Sequence, residues 1–117
     1  MSSLALVFVI NMRTGNLFTK VNRTNDEFLE ILFSGNSNFR VERIVSEGHI
    51  SPQNFWYDQN ESEFVAVLQG NAKLEFENKI LELTPGDWVI IPPHEKHRVI
   101  YTSIEPACVW LAVFGVE

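Results

Sequence analysis

The chain has 117 residues, 45% of them hydrophobic, which is enough to bury a core in one domain without covalent cross-links. Its net charge of −6 and its pI near 5.0 argue against nucleic acid and anionic membranes as partners. Phosphate binding requires clustered lysines and arginines, and the nine present are scattered. The single cysteine, Cys108, rules out an internal disulfide, and its apolar surroundings indicate a buried small hydrophobic residue rather than a nucleophile.

The N-terminal segment contains a seven-residue apolar run at residues 4–10. The run is too short to span a bilayer, and no lysine or arginine precedes it as a signal peptide would require. The sequence therefore predicts a cytoplasmic protein without membrane contact. We interpret residues 1–11 as an N-terminal extension that, if ordered, adds a strand to a sheet edge in its own barrel or in a partner's.

Residues 24–34 carry the signals of a short helix. Thr24 and Glu27 fit a capping box, in which both side chains satisfy free backbone donors. Apolar residues then repeat at helical spacing until the pair Ser34-Gly35. The sequence therefore predicts one helix over residues 24–34, before the strands begin.

From residue 39 onwards the pattern is one of short strands and turns. The predicted strands are 39–46, 63–69, 72–77, 79–83, 88–92, 97–103 and 107–115. Short strands at this spacing are typical of an antiparallel β-barrel or sandwich. The prediction is an all-β fold in a single domain over residues 1–117, with the barrel at 39–116.

The last predicted strand, residues 107–115, is apolar on both faces. Phe64 and Leu68 also lie on the opposite face of their strand from Glu63. One small barrel cannot bury both faces, so the helix, the N-terminal segment or another subunit has to cover the outer one. We interpret the pattern as that of a homodimer.

Residues 86–98 are the most informative segment of the chain. The turn Pro85-Gly86-Asp87 precedes an apolar strand, the pair Pro92-Pro93 ends it, and His97 opens the next strand. The imidazole of His97 is thereby placed at the start of a strand. Further upstream, Glu63 begins a strand, and Gly70 stands at the turn that follows it.

These two segments resemble the two motifs of the cupin superfamily over roughly residues 39–114. The matching positions are Gly48, Glu63, Gly70, Gly86, Pro92 and His97. The chain looks like the small single-domain bacterial cupins, a resemblance that implies a jelly-roll-like β-barrel and a metal site but no particular reaction.

The chain departs from the cupin motifs at four positions. Trp56 and Asp58 stand where the family has two histidines, His94 replaces a glycine, and Tyr101 replaces an asparagine. Of the four usual metal ligands, only one glutamate and one histidine are retained.

Period-two geometry places Glu63 and Val65 on one face of a strand, and His97, Val99 and Tyr101 on one face of another. If both faces point into the barrel, a carboxylate and an imidazole meet in an apolar pocket, where an ionised glutamate needs a metal, a partner or a proton. We interpret Glu63 and His97 as ligands of a divalent ion, Fe, Mn, Ni or Zn. The alternative is a hydrogen-bonded Glu–His pair in a metal-free barrel.

Five further residues are candidates for the site. Asp58 and His94 are candidate metal ligands, against the alternatives of a turn aspartate and an exposed loop histidine. His49 is a candidate ligand-binding residue, and the alternative is a hydrogen-bonded residue that only fills space in the fold. Trp56 and Tyr57 are predicted to line the mouth of the cavity, against packing as a plug of the barrel.

The leading hypothesis is a metal-binding cupin that holds a small oxygenated metabolite. As an enzyme it would be of isomerase, lyase or dioxygenase type, with Glu63 and Tyr101 as catalytic residues that move protons. One alternative is a non-catalytic small-molecule sensor, and another is a metal-free interaction module with a degenerate site. The sequence shows no nucleophile triad, phosphate loop or dinucleotide fingerprint.

Overall fold

The computed structural model describes residues 12–35 and 38–115, which form eight strands joined by turns and loops. The strands are β1 (Phe28–Gly35), β2 (Phe39–Ser46), β3 (Ser62–Gln69), β4 (Ala72–Phe76), β5 (Lys79–Leu83), β6 (Trp88–Ile91), β7 (His97–Thr102) and β8 (Cys108–Gly115). All pairings between them are antiparallel. One sheet has the order β1-β2-β8-β3-β6 and the other the order β5-β4-β7.

The hydrophobic core lies between the two sheets. The five-stranded sheet contributes alternate residues of its central strands, among them Val67 and Trp110, and the three-stranded sheet contributes Leu74 and Phe76. Because side chains alternate between the two faces of a strand, the other residues of β3 and β8 point away from this core. The predicted all-β antiparallel barrel is confirmed, and the seven strands predicted from residue 39 onwards agree with β2 to β8 to within one residue at each end.

The predicted helix over residues 24–34 is wrong, because residues 28–35 form strand β1. The Thr24 hydroxyl bonds to the backbone of Asp26 in a local turn, and the Glu27 carboxylate accepts a hydrogen bond from Ser46 instead of capping a helix. β1 pairs along the whole of β2, whose edge would otherwise present unpaired backbone groups. Tertiary pairing here outweighs a weak local preference for helix.

The segment before β1 packs on the outer face of β2. Arg43 points to that face and is only 5% exposed, because its guanidinium donates hydrogen bonds to the carbonyls of Leu17 and Thr19 and pairs with Glu30 at 3.0 Å. The apolar run at residues 4–10, predicted to add a strand, lies outside the described residues. Within the described part of the chain, no helix is long and apolar enough to cross a membrane.

We expect Gly70→Ala to lower the free energy of unfolding by about 1–3 kcal/mol. Gly70 has a φ of +76°, and a Cβ atom there would meet the Ser103 hydroxyl and lie 2.8 Å from the carbonyl oxygen of Ala107. Gly86→Ala is the matched control, because Gly86 has a φ of +93° but open space around it. Urea unfolding of both variants checks the expectation, and a Gly86 variant as unstable as the Gly70 variant would contradict the steric part of it.

Candidate functional site

A cavity of about 210 Å³ opens between the two sheets. It is lined by Glu27, Leu29, Arg40, Glu42, Ile44, Tyr57, Gln59, Glu63, Val65, Leu74, Ile91, His97, Val99, Trp110 and Phe114. Aliphatic and aromatic side chains form most of its wall, and a few polar groups converge inside it. An apolar pocket with a few convergent polar groups is typical of a small-molecule site.

Glu63 and His97 meet in this cavity, as period-two geometry predicts for their two strands. Glu63 is 9% exposed and His97 5% exposed, and 3.5 Å separates Oε1 of Glu63 from Nε2 of His97. The other ring nitrogen of His97, Nδ1, lies 2.8 Å from the carbonyl oxygen of Glu95. A carbonyl can only accept, so Nδ1 carries a hydrogen and donates it.

The tautomer of His97 determines what lies between the two side chains. With the hydrogen on Nδ1, a neutral His97 would direct the lone pair of Nε2 at the Glu63 carboxylate, and two acceptors would face each other. A proton or a cation between them removes this repulsion. Burial alone would lower the pKa of His97, but the hydrogen bonds to Glu63 and Glu95 and the charges of both residues outweigh burial and raise the pKa above 6.5.

Tyr57 and Gln59 support the pair from the loop before β3. The Tyr57 ring stacks on the His97 imidazole with 5.4 Å between ring centroids, and the Gln59 amide donates a hydrogen bond of 3.3 Å to Oε1 of Glu63. Burial, followed by the negative charges of Glu27 and Glu63, raises the pKa of Tyr57. Its hydroxyl therefore stays protonated and can donate a hydrogen bond.

The sequence comparison with the cupin motifs was wrong by one residue in this loop. Tyr57 and Gln59 line the cavity, whereas Trp56 and Asp58, the residues predicted to do so by motif position, do not. Trp56 is half-buried and lies under the guanidinium of Arg98, at 5.8 Å. The backbone pairing of Tyr57 with His97 fixes this register, and Gln59 then points to the same side as Tyr57. The prediction that Tyr57 lies at the cavity agrees with the structure.

Asp58 and His94, the other two candidate metal ligands, pair with each other outside the cavity. Their side chains are 2.8 Å apart at an exposed rim, and His94 has a φ of +64° in the loop after Pro93. The backbone N–H of His94 donates to the carbonyl of Gln59, which holds the loop after Pro93 against the loop before β3. The structure does not bring either residue to Glu63 and His97.

His49 and Tyr101 also lie away from the cavity. Both ring nitrogens of His49 bond to the backbone, Nδ1 to the N–H of Glu47 and Nε2 to the carbonyl of Thr24. His49 is therefore a hydrogen-bonded structural residue, which was the alternative to a ligand-binding role. Tyr101 is 44% exposed and faces outward beside Lys73. A register shift between β4 and β7 turns Tyr101 away from the face that His97 and Val99 share, and the prediction of a common face was wrong for this residue.

Besides Gln59, four polar residues near the cavity were missed from the sequence. Glu27, Arg40 and Glu42 line it, and Glu61 binds Arg40 at its edge. Alternating polar residues on β2 normally indicate a solvated face, so the sequence offered no signal that Arg40 and Glu42 point into a barrel. Glu42 is nevertheless only 5% exposed.

The cavity fits a divalent cation through two protein donors. Glu63 Oε1 and His97 Nε2 point at each other, and the Nδ1–H of His97 is fixed by a backbone carbonyl, as is usual for a histidine that binds a metal. Within residues 12–35 and 38–115, no group of three or more His, Cys, Asp or Glu side chains is placed to share an ion. This donor set suits a weakly held, exchangeable ion rather than a structural zinc site with four protein ligands.

Comparisons with known proteins agree with the fold. Residues 42–114 match the family model described as "Cupin domain". The structure is similar to that of a protein of Ralstonia eutropha JMP134 that carries the provisional name mannose-6-phosphate isomerase, with a TM-score of 0.85 and 38% identity over 91% of this chain and 100% of that one. No curated protein matches the sequence significantly.

Two more distant structures share the fold alone. A cupin superfamily protein from Desulfitobacterium hafniense DCB-2 has a TM-score of 0.68 and 16% identity over 84% of each chain. KdgF from Halomonas sp. has a TM-score of 0.62 and 16% identity over 76% of this chain and 79% of that one.

Proposed function

The chain belongs to the cupin domain family, and we propose that it binds a small hydroxylated carbonyl compound beside a divalent cation held by Glu63 and His97, and catalyses a proton transfer of isomerase type. The observation that carries the proposal is the buried approach of Oε1 of Glu63 to Nε2 of His97, at 3.5 Å, in the cavity wall. The provisional name of the Ralstonia relative supports the isomerase class.

The cavity side chains have separate parts in the proposed reaction. Oε1 of Glu63 faces His97 and Gln59, whereas Oε2 makes no hydrogen bond within the described residues and is the atom to accept a proton from a ligand carbon. The protonated hydroxyl of Tyr57 donates to a ligand oxygen. When bound, a divalent cation would polarise a carbonyl oxygen of the ligand.

The remainder of the wall excludes water and limits the size of the ligand. Leu74, Ile91, Val99 and Trp110 are apolar residues of the cavity wall. A low-dielectric surrounding strengthens each hydrogen bond that a bound ligand makes. A volume of about 210 Å³ suits a compound of monosaccharide size or smaller.

Hydrogen exchange with solvent tests the proposed reaction. Metal-stripped protein reloaded with Mn(II) or Zn(II) is incubated in D₂O with a panel of aldoses and ketoses, and proton NMR follows the hydrogen on the carbon next to the carbonyl. We expect exchange with at least one compound, slower by about tenfold or more in Glu63→Gln because its amide cannot accept the proton. The matched control is Asp58→Asn at the exposed rim, which should keep the wild-type rate.

Exchange that is absent for every compound, or equal in wild type and Glu63→Gln, would contradict the reaction. If no compound exchanges, only a binding function remains, and measurements of cation binding test it. If wild type and Glu63→Gln exchange equally, Glu63 is not the proton acceptor.

The outer face of the five-stranded sheet supports a further part of the proposal, a homodimer. Trp88 and Ile90 on β6 are 59% and 51% exposed, Trp88 stacks on Phe64, and Leu111 and Val113 on β8 are half-buried. Of the segment before β1, the structure describes residues 12–27, and their hydrogen bonds with this sheet involve β2 through Arg43 rather than Trp88 or Ile90. A contiguous exposed apolar patch of this kind marks an interaction surface, and a second copy of the chain presents a matching one.

A further inference from the structure

Arg40 lies on the cavity wall and is bound by two carboxylates. Its guanidinium lies 4.0 Å above the Phe114 ring, Nε donates to Glu42 at 2.8 Å, and Nη1 donates to both oxygens of Glu61 at 2.8 and 2.9 Å. Burial alone would lower the pKa of Arg40, but the hydrogen bonds and charges of Glu42 and Glu61 outweigh it and raise the pKa. The guanidinium therefore stays charged, and its charge is already balanced.

The position of Arg40 is set by the sheet. Register pairs Arg40 with Phe114 and Phe114 with Glu63, so the three side chains follow one another across β2, β8 and β3. Two residues further along the same pair of strands, Glu42 pairs with Ala112. The small side chain of Ala112 leaves room in the cavity next to Glu42. A ligand that contacts Glu63 therefore has Glu42 and Arg40 within the same cavity.

The charges around the cavity are predominantly negative. Of the lysines and arginines in the described residues, only Arg40 lines it, whereas Glu27, Glu42 and Glu63 all do. His97 faces Glu63, and the charge of Arg40 is shared between Glu42 and Glu61. No positive charge is left over for an anion, and a divalent cation at Glu63 would bring the cavity only close to neutrality.

We propose that the cavity selects ligands without phosphate or carboxylate groups, and that Glu42 and Glu61 impose this selection by occupying Arg40. This inference rests on the proposed function, because it names the class of ligand for the same cavity. The ligand is then an unphosphorylated hydroxylated compound whose hydroxyl groups donate to Glu42, unlike the sugar phosphate in the name of the Ralstonia relative. Arginine is well suited to binding phosphate through two nitrogens, and here Nε and Nη1 of Arg40 are used within the protein, so no free pair of nitrogens remains among the described contacts.

Inorganic phosphate is the probe, in protein kept metal-free with EDTA and followed by ³¹P NMR and calorimetry. We expect no saturable binding by the wild type at millimolar phosphate. The double variant Glu42→Gln/Glu61→Gln leaves Arg40 without its carboxylates, and we expect it to bind phosphate tighter than the wild type by about tenfold or more. Adding Arg40→Gln to the double variant is the control and should abolish the gain.

Phosphate binding by the wild type in the cavity, or no gain in the double variant, would overturn the inference. Glu61→Gln alone replaces a partly exposed side chain, so it should fold even if the double variant does not, and a smaller gain is expected from it. Since no metal is present, these results do not depend on the cation site. A negative result in the hydrogen-exchange experiment would contradict the proposed reaction and leave the anion selection standing. A negative result in the phosphate experiment would contradict the anion selection and leave the reaction standing.

Discussion

Replacing Glu63 with Gln or His97 with Ala is expected to weaken cation binding by about a hundredfold or more, because each change removes one of the two donors that the described residues supply. The two side chains lie 3.5 Å apart, so they can hold one ion between them. A single remaining donor competes poorly with water. The loss should therefore be nearly complete in either variant rather than half in each.

The matched control is His94→Ala. His94 was a sequence-based candidate for the same site, but its ring is 64% exposed and pairs with Asp58 at the rim, so cation affinity should not change. Binding of Co(II) or Mn(II) to metal-stripped protein, by calorimetry and elemental analysis, provides the measurement. Equal occupancy in wild type, Glu63→Gln and His97→Ala would refute the site, and a loss in His94→Ala would place the ion at the rim instead.

Cation binding at this site should also depend on pH with a defined sign. The pKa of His97 is raised above 6.5, so in the metal-free protein Nε2 holds its proton to a higher pH than a free histidine does. A cation must displace that proton. Affinity should therefore fall as the pH is lowered through the pKa of His97, and calorimetry in buffers of different ionisation enthalpy should show proton release on binding. No release at neutral pH would mean that the ion does not bind Nε2.

Most of the barrel could be predicted from the sequence because strand alternation and turn residues agree there. Leu74 and Phe76 alternate with charged residues, and both lie in the core. The same reasoning failed for β1, where apolar residues fit either a helix or a strand, and only the edge of β2 decides between them.

The candidate site was predictable only in part. Glu63 and His97 begin regular strands, so period-two geometry places them correctly. Trp56 and Tyr101 depend instead on a loop register and on a shift between two strands, and neither has a signal in local sequence. Arg40 and Glu42 were missed because their neutralisation inside a barrel depends on Glu61, which is distant in sequence from both.

Ile90→Lys is expected to dissociate the proposed homodimer, raising its dissociation constant by about a thousandfold. Ile90 lies on the outer face of β6 and is 51% exposed in the single chain, so a lysine there is harmless to the barrel but would be buried and unpaired in the interface. In a two-fold symmetric dimer each substitution acts twice. Light scattering and sedimentation at several protein concentrations measure the shift.

Ile80→Lys is the matched control, because Ile80 is 59% exposed on β5 in the other sheet and the same change there should leave the dimer intact. The apolar patch can be covered by a second copy of the chain or by residues 1–11, and deletion of residues 1–11 distinguishes these two possibilities. If a second copy covers it, the deleted protein remains a dimer, and Ile90→Lys separates it. A wild-type monomer at micromolar concentration, or a dimer indifferent to Ile90→Lys, would refute this interface. Either result would mean that the apolar face formed by Phe64, Trp88 and Leu111 does not pack against a second copy of the chain.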